Sequence, residues 1–181
     1  MFRQSFLLFA LVFLIGSAVF AQGIAFGPQL GFQKARDADE GKLMIGGAIR
    51  AKLSPALGIE GSINYRHENY GEDFLTVRSW PVMLTGMFYP FPVIYAAMGA
   101  GWYNTTFDYA KTLNDDGIDD ETTQEVGWHF GGGVEIPFGE LTKVKADIRY
   151  VFLDYDFNEI PGRGGTKSDF YMITIGLLIG M

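Results

Sequence analysis

The chain has 181 residues, with 14 basic and 21 acidic side chains and a formal net charge of −7 at pH 7. An acidic chain without basic clusters is poorly suited to nucleic acid, so we expect no nucleic-acid partner. The absence of cysteine excludes disulfides and thiolate metal sites, and a hydrophobic content of 48% argues against a disordered chain.

The first predicted element in chain order is an export signal. An apolar run over residues 6–20 follows Arg3, and the run leads into the stretch AVFA at 18–21. A short apolar run behind a basic residue, closed by small residues, is typical of a cleaved secretory signal peptide. We therefore predict a signal peptide over residues 1–21 and a single domain over residues 22–181.

Eight segments after the signal peptide alternate between apolar and polar residues with the period of a β-strand. Their approximate bounds are 24–34, 42–53, 57–67, 75–89, 93–109, 124–137, 143–155 and 169–181. The connections after the second, fourth and sixth segments are tight, whereas those after the first, third, fifth and seventh are longer and polar. Short turns at one rim and long loops at the other are typical of outer-membrane barrels.

All three tight hairpins keep apolar residues opposite apolar residues when they are paired around their turns. In the hairpin of the second and third segments, this register places Arg50 opposite Glu60. In the hairpin of the sixth and seventh segments, it places Glu135 opposite Lys145. A correct register keeps like faces together, so both pairings support antiparallel neighbours.

The hairpin between the fourth and fifth segments contains two prolines in its turn. A turn centred on Phe91 pairs Trp80 with Trp102. Pro81 lies inside the fourth segment, where it removes a ladder hydrogen bond, and it therefore predicts a β-bulge.

The apolar faces are predicted to meet lipid, because the interior of an eight-stranded barrel is only just wide enough for its side chains. Glycines then lie inside, opposite long charged residues. The predicted lumen charges are Arg50, Glu60, Arg66, Glu135, Lys145, Asp147 and Arg149. Aromatic residues of the apolar face gather at the long-loop rim, as expected for a membrane-interface girdle. They are Phe32, Tyr65, Trp80, Trp102, Trp128, Phe152 and Tyr171.

With these features the chain resembles the small eight-stranded outer-membrane barrels of the OmpA and OmpX kind, within the porin-like outer-membrane β-barrel proteins. The resemblance rests on the leader, the eight strands, the alternation of short and long connections, and stretches such as YAAMGAGWY and VGWHFGGGVEI. It implies an all-β fold, an antiparallel up-and-down transmembrane β-barrel of eight strands. It also implies a location in the outer membrane of a Gram-negative-type bacterium.

Candidate chemistry is sparse in this sequence. His67 and His129 are its histidines, and neither is followed by the serine that a related lipid A deacylase barrel carries near its histidine. Two isolated histidines do not make a metal site. The acidic loop at 114–121 offers a calcium site as an alternative to a solvated acidic loop, although it lacks EF-hand spacing. Its candidate ligands are Asp115, Asp116, Asp119, Asp120 and Glu121.

We therefore expect a non-enzymatic outer-membrane barrel without a cofactor or catalytic residues. It would have a closed charged lumen, polar loops that face outward, and a structural or surface-interaction role. Its expected partners are outer-membrane lipid and a surface ligand held by the loops, and we expect a monomer. Two alternatives stay open at this point: an outer-membrane enzyme that modifies lipid, and a soluble secreted ligand-binding β-barrel.

Overall fold

A computed structural model of the protein describes residues 23–36, 41–70, 75–109, 121–155, 166–167 and 169–180. The predicted signal peptide lies outside these residues, as do four of the five candidate calcium ligands. The fifth, Glu121, begins a strand.

Ten strands make up the described chain, and eight of them close into one barrel. Their bounds are β1 Ile24–Ala35, β2 Lys42–Lys52, β3 Leu57–Tyr70, β4 Leu75–Phe91, β5 Ile94–Tyr109, β6 Glu121–Pro137, β7 Thr142–Phe152, β8 Asp154–Tyr155, β9 Thr166–Lys167 and β10 Phe170–Gly180. Around the barrel the order is β1-β10-β7-β6-β5-β4-β3-β2, with antiparallel neighbours throughout. Strands β8 and β9 pair with each other in the last long connection. The predicted eight-stranded antiparallel up-and-down barrel is confirmed.

The registers of two tight hairpins agree with those read from the sequence. Arg50 pairs with Glu60 across β2 and β3, and Glu135 pairs with Lys145 across β6 and β7. Both turns are short, so the alternation of apolar residues on the two strands leaves little freedom in the register.

The predicted register between β4 and β5 was wrong by two residues. Trp102 pairs with Val82, and Trp80 pairs with Asn104. The turn lies further along the chain than predicted, because Phe91 pairs with Ile94 and leaves Pro92 and Val93 as the turn, and an irregularity between Phe88 and Phe91 then changes the register by one residue. An extra residue in one strand shifts every pair that follows it while leaving the faces unchanged.

The predicted bulge at Pro81 was also wrong. Pro81 pairs with Tyr103 in an unbroken register between β4 and β5. On its other side the β3–β4 ladder skips two positions, from Ile63 opposite Val82 to Arg66 opposite Ser79, and then resumes in the same register. The missing N–H of proline therefore interrupts pairing locally instead of adding a residue.

The two faces of the barrel wall differ as the alternation predicts. Outward positions carry large apolar side chains, exposed in β10 at Ile173, Ile175 and Ile179. The inward positions of the same strand, among them Met172 and Thr174, are buried. Within the described residues, no helix is long and apolar enough to cross a membrane.

An apolar cluster fills the lumen towards the rim of the long connections, which we call the long-loop rim. Its members are Met44, Met83, Tyr103, Val151, Leu153, Phe170 and Met172. The sequence-based expectation of a polar interior did not include this cluster. In the sequence its residues alternate with apolar residues that point outward, so both faces of these strand ends are apolar. The alternation of apolar and polar residues that identifies the inward face elsewhere is therefore absent here.

Candidate functional site: the charged lumen

A network of charged side chains occupies the lumen between the apolar cluster and the short-turn rim. Arg50 comes from β2, Glu60 from β3, Glu135 from β6, and Lys145, Asp147 and Arg149 from β7. All six are buried. Each of the six is at an inward position, and the residues before and after it in its strand point outward. Because side chains alternate in this way along every strand, all of these charges lie in the lumen.

Glu60 lies at the centre of this network. Its Oε2 accepts hydrogen bonds from Nη2 of Arg50 at 2.6 Å and from Nζ of Lys145 at 2.8 Å. Its Oε1 accepts a hydrogen bond from Nη2 of Arg149 at 2.5 Å. One carboxylate therefore joins strands β2, β3 and β7 across the interior.

Glu135 forms a second centre, closer to the short-turn rim. Its Oε2 accepts from Nη1 of Arg50 at 2.7 Å, and its Oε1 lies 3.0 Å from Nζ of Lys143 and 3.3 Å from Nζ of Lys52. Lys145 faces Glu135 in the strand register, but the Lys145 ammonium reaches Glu60 instead. The strand register thus gives the residue opposite Lys145 in the ladder, whereas the ion pair of Lys145 is with a residue on the opposite side of the lumen.

The third carboxylate, Asp147, is held by its own strand and by β5. Its Oδ1 accepts from Nε of Arg149 at 2.9 Å, and its Oδ2 accepts from the hydroxyl of Tyr95 at 3.0 Å. The hydroxyl of Tyr95 also accepts from Nη2 of Arg50 at 3.1 Å, and the Arg50 guanidinium lies 4.6 Å from the centre of the Tyr95 ring. This tyrosine thus connects the network to the wall that β5 forms.

Glycines provide the space that these long side chains occupy. A Cβ atom added to Gly133 would lie 2.5 Å from Cβ of Asp147 and 2.8 Å from the hydroxyl of Tyr95. A Cβ atom added to Gly131 would lie 2.8 Å from Cα of Arg149. Side chains at these positions would therefore collide with the network or with its backbone.

The network is balanced in charge. The described residues buried at this level include three basic side chains and three acidic ones. They are Arg50, Lys145 and Arg149, and Glu60, Glu135 and Asp147. Buried charges are tolerated when they are paired and hydrogen-bonded. This arrangement therefore serves as a polar core for the barrel.

Three lumen partners were not among the sequence-based site residues. Thr85 accepts from Nη1 of Arg149 at 2.9 Å, Tyr89 donates to Oε2 of Glu135 at 3.0 Å, and Tyr95 bonds Asp147. Their inward alternation was a signal for them, because they lie between outward residues of β4 and β5. Their hydroxyl groups carry no charge pattern that would single them out in a sequence.

The other candidate residues lie apart from the network. Arg66 is half-buried in β3, and within the described residues its Nε makes no hydrogen bond. His67 is exposed, whereas His129 is buried in the lumen with its Nε2 2.8 Å from Oγ1 of Thr85. No group of three or more metal-ligating side chains occurs in the part of the chain that the structure describes.

The seven girdle residues are on the outward face of the barrel. Six of them have exposed side chains, and Trp80 is half-buried. Phe130 and Tyr150 are also on this face and contact Phe152, with ring centroids 5.6 and 4.8 Å away. The aromatic surface near β7 is therefore larger than the sequence-based set.

Residues 7–178 match the family described as outer membrane protein beta-barrel domain. The chain belongs to this family. As a member of the outer membrane protein beta-barrel family, it is an integral protein of the outer membrane of a Gram-negative-type bacterium. The resemblance to OmpA-like barrels is thus confirmed, and a soluble carrier is not supported. No curated protein matches the chain in sequence.

Solved structures of other barrels share the fold of this chain at low sequence identity. The N-terminal barrel domain of OprF from Pseudomonas aeruginosa is 14% identical, with a TM-score of 0.58 over 87% of this chain and 97% of that one. Neisserial surface protein A is 10% identical, with a TM-score of 0.60 over 87% and 95%. Ail from Yersinia pestis, solved with the heparin analogue sucrose octasulfate, is 13% identical, with a TM-score of 0.55 over 88% and 97%.

Proposed function

We propose that this protein is a non-enzymatic outer-membrane barrel with a closed lumen and a structural or surface-interaction role. The burial of the lumen charges carries the proposal. Glu60 and Lys145 are 0% exposed, and Arg149 is 1% exposed. Side chains that line an open aqueous channel are in contact with water, so burial of this degree supports a lumen without a continuous water path.

The apolar cluster supports the same conclusion at a second level of the barrel. Val151 is 0% exposed, and Met83 and Met172 are each 1% exposed. Any solute would have to pass both the apolar cluster and the charge network. An eight-stranded barrel has an interior that its own side chains can fill.

A non-enzymatic role is supported by the surroundings of the histidines. The pair that most resembles a nucleophile and its base is Thr85 with His129, at 2.8 Å. Both side chains are buried in the lumen, with exposures of 0% and 1%. A lipid substrate outside the barrel could not reach the Thr85 hydroxyl, so this pair is better explained as part of the polar core.

We further propose a single barrel domain over 22–181 that follows a cleaved signal peptide over 1–21. Its long connections, including the acidic stretch at 114–121, would face outward and could hold a surface ligand. Closure of the barrel pairs both edges of every barrel strand, which removes the open edge that favours strand-mediated association and supports a monomer.

Planar-bilayer recording tests the closed lumen. We expect the wild-type protein to show little or no conductance, because the network and the apolar cluster obstruct the interior. A variant with Glu60→Gly and Arg149→Gly leaves the apolar cluster in place and should stay closed, whereas the same variant with Met83→Gly and Met172→Gly added should conduct more. Large and stable channels from the wild-type protein would contradict the proposal.

A further inference from the structure

An aromatic shelf lies on the outside of the barrel, close to the long-loop rim. It consists of Phe130, Tyr150, Phe152 and Tyr171. The ring of Tyr150 lies 4.8 Å from those of Phe152 and Tyr171, measured between centroids, and the rings of Phe130 and Phe152 stack at 5.6 Å. These contacts make one continuous apolar surface from β6 across β7 to β10.

The aromatic shelf is one wall of a groove of about 540 Å³. Ile148, on the outward face of β7, lies two residues deeper than Tyr150, or roughly 6–7 Å further from the rim at the usual strand rise. Arg36, which follows β1, lines the groove at the rim end. The groove is therefore apolar on its membrane side and basic at its rim.

A second basic residue stands beside the groove. Lys34 is exposed and pairs in register with Tyr171 across β1 and β10. The backbone N–H of Arg36 donates to the carbonyl of Asp169 at 3.0 Å, which ties this basic segment to the start of β10. The position of both cations relative to the aromatic shelf is therefore set by the strand ladder.

The carboxylate of Asp169 is also in this region. The hydroxyl of Tyr150 donates to Oδ2 of Asp169 at 2.9 Å, which orients the tyrosine ring within the shelf. Lys34 and Arg36 therefore lie near this carboxylate as well as near the aromatic shelf.

We propose that this groove binds a phosphate-bearing membrane lipid. The phosphate would contact Lys34 and Arg36 at the level of the headgroups, and an acyl chain would lie on the aromatic shelf and Ile148. Basic residues next to the membrane attract anionic headgroups, and aromatic rings are suited to the boundary between headgroup and hydrocarbon. The leaflet that supplies the lipid follows from the proposed outward direction of the long connections, whereas the binding itself does not depend on it.

Native mass spectrometry of the purified full barrel in mild detergent tests the site, with lipid A as the titrated probe. We expect the wild-type protein to retain one lipid A molecule, and the double variant Lys34→Gln, Arg36→Gln to bind it roughly 10- to 30-fold more weakly, from about 1 kcal/mol per basic residue. The control is Arg78→Gln, which is compared with the single variant Arg36→Gln because each removes one charge. It removes a positive charge near the long-loop rim on β4, four strands away from β10 in the ring. We expect it to bind lipid A as the wild-type protein does.

Two further variants separate charge from the aromatic surface. Arg36→Lys keeps the positive charge and should retain most of the affinity. Tyr150→Ala combined with Tyr171→Ala keeps both cations and should still weaken binding, because the acyl chain loses its apolar support. Every variant is first checked for compact migration in unboiled gels, so a loss of binding by a folded barrel can be assigned to the site.

Three outcomes would overturn the inference. Equal lipid A binding by the wild-type protein and the double variant would show that the cations do not hold the phosphate. An equal loss in Arg78→Gln would show general surface attraction instead of a site. Full displacement of lipid A by millimolar inorganic phosphate would indicate an anion site without a lipid contribution. These results are independent of conductance, so they leave the proposal of a closed lumen to its own test.

Discussion

Arg50 and Glu60 face each other across the β2–β3 hairpin, and Nη2 of Arg50 lies 2.6 Å from Oε2 of Glu60 inside the barrel. The same carboxylate receives Lys145 and Arg149 from β7. A single acidic residue on β3 therefore compensates one cation from the neighbouring strand β2 and two from β7, on the opposite side of the lumen. This relationship makes Glu60 the residue whose loss would leave the most buried positive charge uncompensated.

Glu60→Ala should therefore destabilise the barrel by about 3–5 kcal/mol, the usual result when one partner of a buried ion pair is removed. Urea unfolding in lipid vesicles measures this change. Glu140→Ala is the control, because Glu140 is exposed at the short-turn rim and its loss should change stability by less than about 0.5 kcal/mol. Equal stabilities of the two variants would contradict the role of Glu60 in compensating the buried cations.

A double-mutant cycle can distinguish register partners from ion-pair partners. Lys145→Met should couple to Glu60→Gln by about 1–3 kcal/mol, because Nζ of Lys145 lies 2.8 Å from Glu60. Its coupling to Glu135→Gln should be smaller, since Glu135 pairs with Arg50, Lys52 and Lys143. The free energies of unfolding of the single and double variants provide the measurement. Stronger coupling to Glu135 would show that the strand register, and not the crossing of the lumen, decides the ion pairs.

The lipid-facing surface can be tested with two residues of similar exposure at different depths. Ile175, in the middle of β10, is 59% exposed, and Leu141, at the short-turn rim, is 57% exposed. Ile175→Lys should block insertion or destabilise by about 2–4 kcal/mol, whereas Leu141→Lys should cost only about 0–1 kcal/mol near the interface. The yield of heat-modifiable protein in membranes measures both. A harmless Ile175→Lys would mean that this face does not meet hydrocarbon.

The glycines of the lumen should tolerate substitution less well than those of the outer face. Gly133→Ala brings its Cβ against Asp147 and Tyr95, and we expect a loss of about 1–3 kcal/mol from overpacking. Gly86→Ala is the matched control, because the nearest atom to its Cβ would be the carbonyl oxygen of Met98 at 3.6 Å, an ordinary contact. Thermal scans of unboiled gel mobility compare the two. Equal melting temperatures of the two variants would show that the lumen can accommodate a methyl group at Gly133.

The orientation of the barrel can be tested at Gly117, which lies in the long connection between the fifth and sixth predicted segments and outside the described residues. A protease site inserted there should be cut on intact cells if the long connections face outward. The same site inserted at Gly139, in the short turn between β6 and β7, should be cut only after lysis. Cleavage in the reverse order would show that the long connections face the periplasm.

The sequence by itself determined the fold, the strand faces and two hairpin registers. Strand residues alternate strictly between two environments, so a charged residue such as Asp147 or Arg149 in the alternation identifies the inward face. A tight turn then limits the register to the few that keep those faces together, and the one predicted for Arg50 with Glu60 is the one observed. These are local constraints between residues that are close in the chain, so they can be inferred from the sequence alone.

Only the tertiary structure decided which charges meet across the lumen and where its apolar part lies. Lys145 and Glu60 are 85 positions apart in the chain, and their contact depends on how the closed sheet is staggered around the barrel. The position of the β4–β5 turn and the irregularity between Phe88 and Phe91 likewise set a register that period-two alternation could not distinguish from its neighbour two residues away. Side-chain reach and barrel closure act between distant strands, so a pattern that repeats every two residues carries no information about them.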